Sequence, residues 1–184
     1  MSIQFKHVTQ EVIDLIKQGN IGIIRTDTIY GVVGLAEDQA VVERIFQLKD
    51  RSETKPPIVL IYEASVMYDA PAKTVGSLLE SVWPGRVSVI VPSPHAPSWI
   101  SRGKTTATYR VPANEQLRAL LKSTGPLVAP SANPQSLPPA TTIQEAVNYF
   151  GDQVDFYVDG GHVTDNTPSQ LLRILDDGTV ERLR

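Results

Sequence analysis

Ile21-Gly22-Ile23-Ile24-Arg25-Thr26-Asp27-Thr28-Ile29-Tyr30-Gly31 is the stretch from which the fold is read. Residues 21–25 are a short apolar run rich in β-branched side chains, the pattern of a strand buried on both faces. The chain then turns polar at once, offering two threonine hydroxyls, a carboxylate and a phenol. In open α/β sheets, ligands bind in the crevice beyond the carboxyl ends of strands. This stretch therefore predicts a buried strand that delivers a polar loop to such a crevice.

On the N-terminal side, Thr9 caps a helix running to about Gln18, with Val12, Leu15 and Ile16 on one face and Gly19 stopping it. On the C-terminal side, Asp38 caps a helix that turns Val41, Val42, Ile45 and Leu48 inward. Strands are expected over residues 57–61, 87–91, 105–111, 127–129 and 154–158, and helices over 75–82 and from the Asn114 cap to about Ser123. Thr142-Ile143-Gln144-Glu145 reads as a capping box opening a further helix, and Asp176-Asp177-Gly178 as a tight turn between two closing strands. The 14 prolines fall largely between elements. This alternation predicts an α/β fold: a single domain over residues 1–184, with a twisted mixed sheet that includes antiparallel pairs and flanking helices.

The 184 residues are 41% hydrophobic and 20% charged, a globular composition. There is no cysteine, which excludes a disulfide framework, a thiolate zinc site and a cysteine nucleophile. The opening residues lack the apolar core of a signal peptide, and no apolar run approaches the ~18–20 residues that cross a bilayer. A cytoplasmic protein without membrane contact is expected. The net charge of −3 hides an uneven distribution. Residues 81–144 hold Arg86, Arg102, Lys104, Arg110, Arg118 and Lys122 against Glu115 alone, a net +5 that suits an anionic ligand.

Common catalytic motifs are missing. His7, His95 and His162 share no ligand spacing, so no metal site is expected. No serine sits in a Gly-x-Ser-x-Gly elbow, and there is neither a Walker phosphate loop nor a Gly-x-Gly-x-x-Gly. Three polar segments remain: residues 25–31, the run Lys49-Asp50-Arg51-Ser52-Glu53-Thr54-Lys55, and Ser131-Ala132-Asn133 between Pro130 and Pro134. Alone, each has an ordinary explanation as a helix end or a turn. Lys49, Arg51 and Lys55 could also surround phosphate oxygens, arginine as a fork and lysine as a point charge.

In this order, the segments resemble the YrdC-like family, whose characterised activity is L-threonylcarbamoyladenylate synthase. The likeness covers nearly the whole chain. It rests on Arg25 to Gly31, on Lys49-x-Arg51 with Pro57-Ile58-Val59, and on Trp83-Pro84-Gly85. It continues with Thr106, Arg110 and Pro112, with Ala129 to Pro134 followed by Pro139 to Thr142, and with Asp159-Gly160-Gly161, Ser169 and Arg182. The chain departs from the family pattern at Arg25, where proline is usual, at Leu60, where many members carry histidine, and at Ser88, where threonine is usual. Thr167-Pro168-Ser169-Gln170 is a loose version of the usual Glu-Ser-Thr-Val. Some longer relatives carry an additional C-terminal domain.

The resemblance implies that L-threonine, bicarbonate and ATP are joined into threonylcarbamoyladenylate, with release of pyrophosphate. ATP would bring Mg2+. Lys49 and Arg51 would be catalytic and, with Lys55, would hold the triphosphate. Thr106, Asn133, Thr141 and Arg182 would contact the nucleotide. Thr28, Tyr30, Arg110, Ser131 and Ser169 would form the threonine site, with Tyr30 shaping its floor and Leu60 adding an apolar wall. The product would serve N6-threonylcarbamoyl modification of adenosine 37 in tRNA through a separate transferase complex. Two rivals follow from the same features. One is a non-catalytic RNA-binding protein that uses the basic segment on tRNA or double-stranded RNA. The other is a carbamoyl-adenylate enzyme with a different acceptor, as in a domain of hydrogenase maturation factors.

Overall fold

A computed structural model describes residues 2–50, 54–175 and 178–184. The elements, in chain order, are β1 (Ile3–Phe5), α1 (Gln10–Lys17), β2 (Gly22–Arg25), β3 (Tyr30–Leu35), α2 (Gln39–Leu48), β4 (Ile58–Leu60), α3 (Lys73–Val82), β5 (Val87–Pro92), α4 (Ser98–Ser101), β6 (Thr106–Arg110), α5 (Glu115–Thr124), β7 (Leu127–Val128), α6 (Ile143–Phe150), β8 (Phe156–Val158), β9 (Gln170–Ile174) and β10 (Val180–Arg182). The caps form where short polar side chains precede apolar periodicity. Thr9 accepts from the Val12 amide, Asp38 from Ala40 and Val41, and Asn114 from Leu117.

The capping box of α6 is shifted by one residue. Thr142 accepts from the Glu145 amide as expected, but the Glu145 carboxylate reaches back to the amide and hydroxyl of Thr141. Those bonds hold Glu145 below the usual carboxylate range.

The strands form one sheet in the order β1-β8-β2-β3-β7-β4-β6-β5-β9-β10. β8 runs parallel to β1 and β2, β4 parallel to β6, and β5 parallel to β9, while the remaining neighbours are antiparallel. The expected α/β class and mixed sheet are therefore what the chain adopts. β3 is an unforeseen strand, because Gly31 and Gly34 interrupt its apolar run. Gly34 is needed there, since a Cβ at that position would lie 2.4 Å from Val41 Cγ1. α2 thus packs directly on the strand backbone.

Two apolar layers lie on the two faces of the sheet. On one face, Val12 and Ile16 of α1 and Leu117, Leu120 and Leu121 of α5 cover Ile24, Val33, Leu60 and Phe156. On the other, α2, α4 and α6 cover Ile23, Val32, Val59, Val89 and Tyr109. Side chains alternate across the sheet, so Ser88, Thr108 and Arg110 share the face of Leu60. The apolar layer under α1 and α5 includes no residue of β6, β5 or β9, where this face mixes polar with apolar side chains and opens into a cleft at Arg110 and Ser169.

Candidate functional site

β2 and β3 are antiparallel, paired up to Arg25 and Tyr30, so Thr26–Ile29 is a hairpin loop. Thr26 organises it. Its hydroxyl donates to the Ile29 carbonyl at 2.7 Å and accepts from the amides of Thr28 and Ile29. This turns the Thr28 hydroxyl to within 3.1 Å of Thr26 Oγ1 and 3.4 Å of Arg110 Nη1. Arg110 arrives from the end of β6, and Gly31 and Ser131 form an isolated bridge that brings in the second loop. Pairing of β5 with β9 supplies Ser169, whose hydroxyl is 2.9 Å from that of Ser88. Thr28, Arg110, Ser131 and Ser169 therefore line one cleft of about 180 Å3, with Ile29, Ile58 and Pro168 among its apolar walls.

Two further charged groups belong to this site. Arg184 lines the cleft and donates from Nε to the Ser169 carbonyl at 3.0 Å, with Nη2 3.4 Å from Ser169 Oγ. Asp27 lies under Arg110, with Oδ1 3.1 Å from Arg110 Nη2 in ion-pair range but without a hydrogen bond's alignment. Burial pushes the Arg110 pKa down, Asp27 pulls it up, and Arg86 and Arg184 push it down again. Proximity of Asp27 to Arg110 has no local sequence signal, because 83 residues separate them. The basic residue near the C-terminus was visible, but Arg184, past the end of β10, is the one that lines the cleft. Arg182 is exposed on β10, its Nε donating to the Arg184 carbonyl.

The other expected residues have different placements. Lys49 is buried, and its Nζ donates to the carbonyls of Ser131 and Asn133 and lies 3.3 Å from Asn133 Oδ1. It fastens the C-terminal end of α2 to the Ser131–Asn133 turn. The Asn133 amide group donates to the carbonyls of Pro134 and Leu137, and its oxygen accepts from Ser131 Oγ at 2.6 Å, so the side chain is spent on its own turn. The Thr141 hydroxyl is bound to Glu145. Thr106 begins β6, four residues from Arg110 and roughly 13 Å along the strand. Lys55 is exposed and outside the cleft lining. Arg51 lies outside the described residues, as do Asp176 and Asp177 of the expected closing turn.

Two expectations about the pocket wall are corrected. Tyr30 is fully buried in the opposite layer, where its hydroxyl donates to the Gly161 carbonyl at 2.8 Å and accepts from the Gly160 amide. It braces the Asp159–Gly161 loop and forms no cleft floor. Leu60 is also fully buried, beneath α1 and α5, and adds no wall. Arg25, at the position where the family pattern has proline, reaches Gly160. Its stem packs on Gly160, where a Cβ would lie 2.4 Å from Arg25 Cβ, and its Nη1 donates to the Gly160 carbonyl.

The basic segment is not a free cationic strip. Arg86 pairs with Asp165, Arg102 with Glu43 while lying over the Phe46 ring, and Arg110 with Asp27, and Arg118 donates to the carbonyls of Pro112 and Ala113.

A family model described as telomere recombination, covering Sua5, YciO and YrdC, matches residues 14–184. The chain belongs to the Sua5–YciO–YrdC family. Within it, the chain is 30% identical over 170 residues to the threonylcarbamoyl-AMP synthase of Bacillus subtilis, covering 89% of this chain and 49% of that protein. It is 31% identical over 150 residues to the enzyme of the same name from Halorhodospira halophila, covering 79% and 78% respectively. This chain thus spans about half the length of the B. subtilis relative and most of the other. The crystal structure of P. abyssi Sua5 complexed with L-threonine superposes on all of this chain and 57% of that one, with a TM-score of 0.87 and 26% identity. Among the described residues, no helix is long and apolar enough to cross a membrane.

Proposed function

We propose that the protein is an L-threonylcarbamoyladenylate synthase that forms threonylcarbamoyl-AMP and pyrophosphate from L-threonine, bicarbonate and ATP. The observation that carries this reading is the convergence of Thr28, Arg110, Ser131 and Ser169 on one small cleft, in a chain similar over its whole length to a Sua5 crystallised with L-threonine. The threonine amine adds to bicarbonate or CO2 to give a carbamate. A carbamate oxygen then attacks the α-phosphorus of ATP, and pyrophosphate leaves. No protein nucleophile is required, so positioning and charge do the work.

Arg110 takes the amino-acid carboxylate, and the hydroxyls of Thr28, Ser131 and Ser169 take its polar groups. Lys49, Arg51 and Lys55 serve the triphosphate; for Lys49 this requires one of its turn-holding donors to exchange when ATP binds. Arg184, which lines the cleft, takes the nucleotide role expected of Arg182, which does not. Mg2+ would be carried in by ATP and would offset the charge of its phosphates. The product is passed to a separate tRNA threonylcarbamoyl-transferase complex in the cytoplasm. The internal pairing of the basic segment favours this enzyme over an RNA-binding module. The test is mass spectrometry after incubation with ATP, Mg2+, bicarbonate and L-threonine. Threonylcarbamoyl-AMP and pyrophosphate are expected, both dependent on threonine; ATP left intact would end the reading.

A further inference from the structure

We propose that Asp27 is a positioning residue that holds Arg110 in place for an incoming carboxylate. This deepens the reading above and rests on it. The side chains of Asp27 and Arg110 are only 4% and 5% exposed, and they meet at 3.1 Å. The other Asp27 oxygen accepts from the Ala113 amide at 3.1 Å. One carboxylate therefore ties the hairpin loop to the segment between β6 and α5 and presents its charge to Arg110. Arg110 would otherwise sit buried near Arg86 and Arg184, two cations that repel it. A long side chain so placed would turn away toward solvent. Asp27 and Thr28 engage the two terminal nitrogens, while the buried Nε has no hydrogen-bond partner. Each terminal nitrogen carries a second N–H, so the guanidinium keeps donors for a ligand anion, while the unpaired buried Nε is a cost that Asp27 helps to offset.

Asp27→Asn separates charge from shape, because its amide oxygen can still accept from Ala113. The probe is L-threonine, titrated calorimetrically into the unmodified chain, Asp27→Asn, Asp27→Glu, Arg110→Gln and the Asp27→Asn/Arg110→Gln double variant. Loss of a charge-assisted contact predicts that Asp27→Asn weakens threonine binding about tenfold or more, with the KM for ATP nearly unchanged. Asp27→Glu should recover most of the affinity. In the Arg110→Gln background, Asp27→Asn should add almost nothing, because it acts through Arg110.

A readout without any ligand is the Arg110 Nε–H resonance, expected to be protected from exchange in the unmodified chain and lost in Asp27→Asn. Equal threonine affinity in the unmodified chain and Asp27→Asn overturns the inference. So does an additive loss in the double variant, or an Nε–H signal indifferent to the substitution. Failure of the unmodified chain to bind threonine would instead strike the enzyme reading itself, and the carboxylate role with it.

Discussion

Over β8, β2, β3, β7 and β4 one face of the sheet is sealed by α1 and α5, whereas over β6, β5 and β9 the same face is left partly open. In the sealed half the outward positions are Ile24, Val33, Leu60 and Phe156. In the open half they include Ser88, Thr108 and Arg110 beside Ile90 and Leu171, with Ser169 just before β9. The backbone pattern continues unbroken from one half to the other, so the change lies in the side chains. Where helices exclude water the face is apolar. Toward the cleft, buried polar groups appear, some paired, as the Ser88 and Ser169 hydroxyls are, and some not, as with Arg110 Nε. The sealed half supplies rigidity and the open half supplies chemistry, and the two can be perturbed separately.

The largest effect is expected in the sealed half. Leu121→Ala, at a fully buried position between α5 and the sheet, should cost about 2–5 kcal/mol of stability through the cavity it leaves. Chemical denaturation measures this, and the threonine KM of the fraction still folded should stay near wild type. A KM that rises with the loss of stability would show that the halves are not independent.

The reverse substitution lies in the open half. Ser131→Ala removes a cleft hydroxyl that donates to Asn133. It should lower turnover about tenfold, as for one lost hydrogen bond of ~1–1.5 kcal/mol, and shift the denaturation midpoint little. A large shift in that midpoint would mean that the Ser131–Asn133 turn is structural first and chemical second.

The smallest effect is expected at Asp165, on the rim of the open half. Hydrogen bonds from Thr167 and Arg86 hold its carboxyl well below the usual range. A carboxyl depressed in the folded state stabilises above its unfolded pKa of about 4, and the benefit fades as pH falls through the folded value. The group is exposed and screened, so Asp165→Asn should differ only slightly from wild type at pH 7. That difference should shrink with salt and below about pH 4. A large loss at pH 7 would mark the 165–169 segment as a stabilising part of the open half.

The sealed half was largely legible in the sequence. Thr9, Asp38 and Asn114 bond to amides two or three residues away, and helix periodicity needs only local spacing. β3 escaped because its glycines are explained by what packs on them, not by strand preference. The open half was legible by residue type and not by partner. Thr28, Arg110, Ser131 and Ser169 were visible through family likeness, while Asp27 meets Arg110, and Arg184 the cleft, through contacts that no short window contains. Tyr30 misled for the same reason. Alternation in β3 points it away from the neighbouring loop residues that drew attention to it.

The close approach of α2 to β3 acts as a lever. Where Gly34 faces Val41, strand backbone and helix side chain meet with no Cβ between them. Eight residues on, about 12 Å along the helix direction, Lys49 grips the turn that carries Ser131. The helix is a stiff rod between these two points, so its seating on the sheet is transmitted to the cleft mouth. A side chain at position 34 would push the helix off the sheet at one end and so disturb the Lys49 hold on the Ser131 turn at the other.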